Sequence, residues 1–188
     1  MNTCKQNLLL FFVTTLVAVL LAEWVLRQVL PAPIVWKYPQ ESYIHDSQTG
    51  HWLASSQQAY THDKPVSINS YGVRGPEYSR NPAAGVYRLL ALGDSQTFGN
   101  GLVREDTWPG QLEALLRKRG GSAAFEVINA GLPASDTWQH EIMLGRLLEQ
   151  YNPDYVVLAF YVNDFSVRPA HVAADSGMQR SPLASRLV

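Results

Sequence analysis

Three short segments of this sequence hold residue types suited to acyl transfer. They are Gly93-Asp94-Ser95-Gln96-Thr97-Phe98-Gly99, Asn129-Ala130-Gly131-Leu132-Pro133 and Tyr161-Val162-Asn163-Asp164. A serine hydroxyl acts as a nucleophile when a base takes its proton. The oxyanion that follows needs N–H donors set in place beforehand. Backbone amides in a glycine-bearing loop approach closely, and an asparagine carboxamide adds a neutral donor. Ser95 with its own N–H, the Gly131 N–H and the Asn163 amide would make such a set. Each residue alone also has a plain structural reading. Ser95 is then a turn or helix-capping serine, Gly131 a turn glycine and Asn163 a loop cap. Asp94 is expected only to hydrogen-bond its own loop.

The elements that would bring these segments together are legible from Val86 onward. Tyr87 to Leu92 is apolar except for Arg88 and is closed by Gly93, which predicts a mostly buried strand. Trp108, Leu112, Leu115 and Leu116 form one helical face, ended by Gly120-Gly121. Phe125 to Asn129 predicts a second strand. Asp136 with Gln139 resembles a capping box, and Leu144, Leu147, Leu148 and Tyr151 give the next helical stripe. Asn152-Pro153 breaks that helix, and Tyr155 to Phe160 predicts a third strand. Apolar strands alternating with amphipathic helices predict a parallel sheet covered on both faces. All carboxyl ends of such strands lie along one edge, where ligands bind. Ser95, Gly131 and Asn163 should therefore converge.

Upstream of this region the texture differs. Leu8 to Ala22 carries no charge, and residues 7–30 are long enough to span a membrane if Glu23 and Arg27 are tolerated. Those two stand four apart on one helical face, where they can pair. Trp24 suits an interfacial position. A cleaved signal peptide is the competing reading, but Leu20 and Ala22 make a poor cleavage site. Lys5 and the amino terminus favour a cytoplasmic start, which would leave a single-pass protein whose remaining chain faces the periplasm or cell exterior. Pro31-Ala32-Pro33 ends the helix. Residues 31–85 read as a linker with short extended pieces, among them Val66 to Tyr71. The expected organisation is an anchor over 1–30, a linker over 31–85 and a catalytic-type domain over 86–188.

Composition narrows the function classes. Of 188 residues, 46% are apolar and 16% charged, which suits a folded chain. Net charge is −1 and there is no basic run, so nucleic acid is not an expected partner. Cys4 is the sole cysteine, so no intrachain disulfide forms. No Cys/His cluster suggests a metal, and no cofactor is expected.

The three segments, in this order and each after a strand, resemble the first three sequence blocks of the SGNH/GDSL hydrolases. The resemblance covers about residues 66–168. It includes Asn69-Ser70-Tyr71-Gly72-Val73-Arg74-Gly75-Pro76-Glu77, which looks like a segment of membrane-anchored members. It implies a flavodoxin-like three-layer α/β/α fold, here with about three strands of the sheet. It implies Ser95 as nucleophile and oxyanion donor, with Gly131 and Asn163 as the other donors. The implied substrates are acyl esters of small molecules or glycans, and lipids and thioesters also fall within the family. No metal is implied.

One block of the family pattern is missing from these residues. A late Asp-x-x-His supplies the base and its orienting carboxylate, and no aspartate here has a histidine three residues later. His140 falls within a helix and is expected to be solvent-exposed there. His171 precedes Asp175, the wrong order, and is retained only as a substitute base. The expectation is a serine ester hydrolase that is incomplete as given. The alternative is an inactive membrane-anchored binding or accessory protein for acylated glycans. A third reading is an unstable half-sheet with an open strand edge. Trp108 and Trp138 are expected to pack, not to stack on a ligand.

Overall fold

The computed structural model describes residues 3–30, 34–120, 123–162 and 164. The chain separates into two units, Met1–Val35 and Trp36–Val188. The first holds helix α1, Thr3–Val29, whose 27 residues are long and apolar enough to cross a membrane and bury nothing within the protein. Within it Arg27 pairs with Glu23 at 2.8 Å, the i,i+4 pairing expected from their spacing.

The second unit is α/β. Strands β5 (Val86–Gly93), β6 (Ala124–Gly131) and β7 (Tyr155–Leu158) form a parallel sheet in the order β6-β5-β7. Side chains alternate across it, as the two-residue period of a strand requires. Leu89, Ala91 and Val127 face α3 (Trp108–Arg119) and meet Trp108, Leu112 and Leu116. Leu90, Leu92, Ile128 and Ala130 share the other core with Met143, Leu147 and Tyr151 of α4 (Thr137–Tyr151). Both faces of β5 and β6 are thus covered, as their apolar runs implied, whereas Tyr155, Val156 and Leu158 of β7 are exposed. Leu115, placed on the inner stripe by its spacing, is exposed instead. The contact repeats every four residues through 108, 112 and 116, and 115 falls to one side. The Asp136–Gln139 capping box is present, with the Asp136 N–H donating to Gln139 Oε1 at 2.7 Å.

Residues 36–85 do more than link. β1 (Tyr43–Asp46) pairs antiparallel with β2 (Gly50–Leu53), and β3 (Gln57–Thr61) with β4 (Lys64–Ile68). Trp52, Leu53, Ala59, Val66, Ile68 and Val73 belong to the same core as the α4 side of the sheet. Backbone bridges Ile68–Arg74 and Arg74–Asn129 stitch β4 to β6. The reading of 31–85 as a linker missed this because each strand is only four or five residues long. Their apolar members are too few to give a periodic signal, and their burial comes from the sheet they lean on.

Candidate active site

Ser95 opens a single helical turn, α2 (Ser95–Phe98), at the carboxyl end of the central strand, and is half-buried. One turn cannot stabilise itself, since helix nucleation is unfavourable. It is held from its flanks. Asp94 is the N-cap, and its Oδ1 accepts the Gln96 N–H at 2.8 Å, the loop-bonding role expected of it. At the other end Gly99 takes the left-handed conformation, φ 82°, and its N–H donates to the Ser95 carbonyl at 2.9 Å.

Register brings the second loop alongside. Gly93 pairs directly with Gly131, and the Leu132 N–H donates to the Gly93 carbonyl at 2.9 Å. Gly131 is packed against the Ser95 turn so closely that a Cβ would overlap the Phe98 amide. Its own N–H is engaged, donating to Asn129 Oδ1 at 3.1 Å within the buried end of β6. The loop that follows is anchored by Ser135, whose N–H and hydroxyl both donate to the Leu132 carbonyl, at 3.3 and 2.7 Å. His51 of β2 donates its Nε2–H to the Pro133 carbonyl at 2.8 Å. At the exposed tip, Ala134 has φ +60°, a conformation that costs a non-glycine residue about 1–2 kcal/mol.

The third loop leaves β7, on the other side of β5, where the Ala159 N–H donates to the Leu92 carbonyl at 2.9 Å. Asn163 lies outside the described residues, as do His171 and Asp175. Its neighbour Asp164 is buried, and Oδ2 accepts the Tyr161 N–H at 2.8 Å. The Asp164 carbonyl accepts the Thr137 hydroxyl at 2.9 Å, tying this loop to the start of α4.

His140 differs from its expected exposure: it is 2% exposed. The side of α4 that carries it faces the loops at the strand edge, so its helical position turned it inward. Its Nε2 lies 2.8 Å from Ser135 Oγ. Because the Ser135 hydroxyl proton is already given to Leu132 O, the shared proton belongs to His140 Nε2. Among the described residues Nδ1 is buried without a hydrogen bond of good geometry, although the Gly93 backbone lies close enough to favour the charged ring. Burial lowers the imidazole pKa below its ordinary value, against the carboxylates of Asp164, Asp94 and Asp136, which favour the charged form.

Arg74, Ala134 and His51 were not singled out from the sequence as parts of this region. Arg74 had a signal, since it stands within the quoted Asn69–Glu77 segment, but burial of an arginine cannot be read from its neighbours. Among the described residues, no group of three His, Cys, Asp or Glu side chains is placed to hold a metal ion.

Comparison with known proteins finds likenesses over the part of the chain that holds these loops. The GDSL-like Lipase/Acylhydrolase family matches residues 91–181, which take in all three segments. An arylesterase of Vibrio mimicus is 34% identical over 77 residues, covering 41% of this chain and 38% of the relative. The chain thus spans less than two fifths of the length of that relative. The esterase AlinE4, an SGNH-hydrolase family esterase, is similar over 48% of this chain and 44% of its own, at 26% identity and a TM-score of 0.38; a mutant of it gives the same values. The family match runs through the Ser95, Gly131 and Asn163 segments, so this part of the chain is similar to the GDSL-like lipases and acylhydrolases.

Proposed function

We propose that this chain is a serine ester hydrolase with Ser95 as its nucleophile. The Ser95 hydroxyl oxygen bonds to the acyl carbon of an ester. The hydroxyl proton leaves to a base and the alcohol departs protonated. Water then attacks the acyl-serine, releasing the acid and restoring the hydroxyl. The Ser95 N–H, the Gly131 N–H and the Asn163 carboxamide are the proposed oxyanion donors, and loss of one such donor typically slows turnover about a hundred- to thousandfold. For Gly131 this role requires its N–H to exchange Asn129 Oδ1 for the oxyanion.

The observation that supports this reading is the half-buried Ser95 at the first position of α2, on the central strand, with the β6 and β7 loops leaving on either side. His140 is not the base in this reading, because its Nε2–H is committed to Ser135. Fluorophosphonate labelling of the wild type and Ser95→Ala tests the assignment. Labelling of the wild type alone is expected. Equal labelling of both would remove Ser95 from the role, and absence of Ser95-dependent p-nitrophenyl acetate hydrolysis would favour a binding protein for acylated glycans.

The same proposal has α1 as a membrane anchor over residues 1–30, with the hydrolase unit on the periplasmic or extracellular face. The substrate is an acyl ester of a small molecule or glycan. Proteolysis of intact and permeabilised cells tests the sidedness: cleavage of the unit only after the inner membrane is opened would overturn it.

A further inference from the structure

The geometry points to Arg74 as a positioning residue for Ser95, acting through the carbonyl oxygens that close the Ser95 turn; this rests on the nucleophile assignment above. Arg74 is 1% exposed. Among the described residues its guanidinium makes no hydrogen bond to a carboxylate. It is spent on backbone instead: Nη1 donates to the Phe98 and Gly99 carbonyls at 2.6 and 3.0 Å, and Nη2 to the Leu102 carbonyl at 2.6 Å. The cation also lies over the Phe98 ring, 4.9 Å from its centroid. Burial lowers its pKa to about 10, while Glu41 and Glu105 act at longer range to raise it, so it is charged at neutral pH.

A buried cation without a hydrogen-bonded counter-ion is costly, and an apolar side chain of similar volume would fill the space at less cost. What an apolar side chain could not do is satisfy three carbonyls that converge where a one-turn helix ends. Only a planar fork with several donors bonds them together. The backbone of Arg74 is in turn fixed between β4 and β6 by its bridges to Ile68 and Asn129. Asn129 completes the link: its Nδ2 donates to the same Phe98 carbonyl at 3.3 Å, and its Oδ1 accepts the Gly131 N–H. One carbonyl, that of Phe98, is therefore where the arginine, the Ser95 turn and the Gly131 loop are joined. Asn69 delivers the arginine, because its Oδ1 accepts the Tyr71 and Val73 N–H groups and its Nδ2 donates to Tyr151 Oη, fixing the turn that ends at Arg74.

Arg74→Lys keeps the charge and loses the fork, and Arg74→Gln keeps two N–H donors and loses the charge. Both are compared with wild type and Ser95→Ala at a temperature where each melts no sooner than its cooperative transition. Two quantities are read: the fluorophosphonate labelling rate of Ser95, and amide hydrogen exchange across the chain. The expected result for Arg74→Lys is labelling at least about tenfold slower, since small misplacements of reacting groups cost this much or more. Exchange should quicken over residues 95–102 while the β1–β2 hairpin is unchanged. If Arg74→Gln fails to fold, Arg74→Lys alone decides. Wild-type labelling rates in a folded Arg74→Lys would overturn the proposal, and so would exchange that quickens evenly across hairpins and turn. If wild-type labelling proves independent of Ser95, the nucleophile assignment falls and exchange alone decides whether Arg74 clamps the turn.

Discussion

Gly131 at the end of β6 lies against Phe98 at the end of the Ser95 turn with no room for a side chain between them: a Cβ at 131 would stand 2.6 Å from Phe98 Cα. Backbone opposes backbone there, so neither side can yield by a rotamer change. Gly131→Ala is expected to destabilise the fold by about 1–3 kcal/mol, the range for overpacking a tight core. It should also slow Ser95 labelling by displacing the turn. Urea unfolding of the purified variant checks the first effect, and labelling kinetics the second. Wild-type values for both would mean that the two loops are less closely coupled than their packing indicates.

The buried imidazole of His140 predicts acid sensitivity. Its folded-state pKa lies below the ordinary 6.5, so the unfolded chain binds the proton more readily. Stability from this group is whole above about pH 6.5 and falls as pH drops from there toward the folded-state value. His140→Gln retains a donor toward Ser135 and does not titrate. Unfolding midpoints between pH 7.5 and 5.5 should therefore fall less in the variant than in the wild type. Parallel curves would show that His140 does not titrate differently on folding.

Arg146 of α4 makes a two-pronged contact with Asp46 of β1, at 2.9 Å from each terminal nitrogen, and its guanidinium lies 5.2 Å from the Trp52 ring centroid. Burial alone would raise the Asp46 carboxyl, but hydrogen bonds from Arg146 and Thr49 outweigh it and hold the group well below the usual carboxylate range. The partly exposed setting limits the pair to about 1 kcal/mol. A double-mutant cycle of Asp46→Asn and Arg146→Gln should return a coupling of that size at pH 7. The coupling should be lost as the pH falls through the folded-state pKa of Asp46. A coupling near zero would show that the first hairpin is held by its apolar contacts alone.

Ala134 at φ +60° is a strained tip in an otherwise well-bonded loop. Ala134→Gly removes that strain at a position where glycine is at ease, though the variant's unfolded chain has more conformations to lose. A net gain of up to about 1 kcal/mol in thermal or urea stability is expected. A loss of stability would indicate that the alanine methyl makes a contact worth more than the strain.

The chain itself determined its periodic parts. Apolar runs at 87–92 and 125–129, separated by stripes at helical spacing, were enough to specify parallel strands covered on both sides, whereas the third run, 155–160, is a strand only as far as Leu158 and is largely exposed. The Asp136–Gln139 cap and the Glu23–Arg27 pair were legible for the same reason: both ends of each interaction lie within four residues. Parallel strand order then implied that the Ser95 and Gly131 segments meet, because every strand of such a sheet ends on the same edge.

Tertiary structure alone decided what depends on distant partners. His140 and Leu115 have side chains whose facing follows from how far each helix rotates on the sheet, so a polar residue went inside and an apolar one outside. The hairpins of residues 43–68 became core because the sheet offered them an apolar face. Arg74 is buried because three carbonyls 24 to 28 residues away converge on it. Hydrogen bonds of that span leave no periodic trace in a sequence; they exist only once both segments have been folded against the same strand.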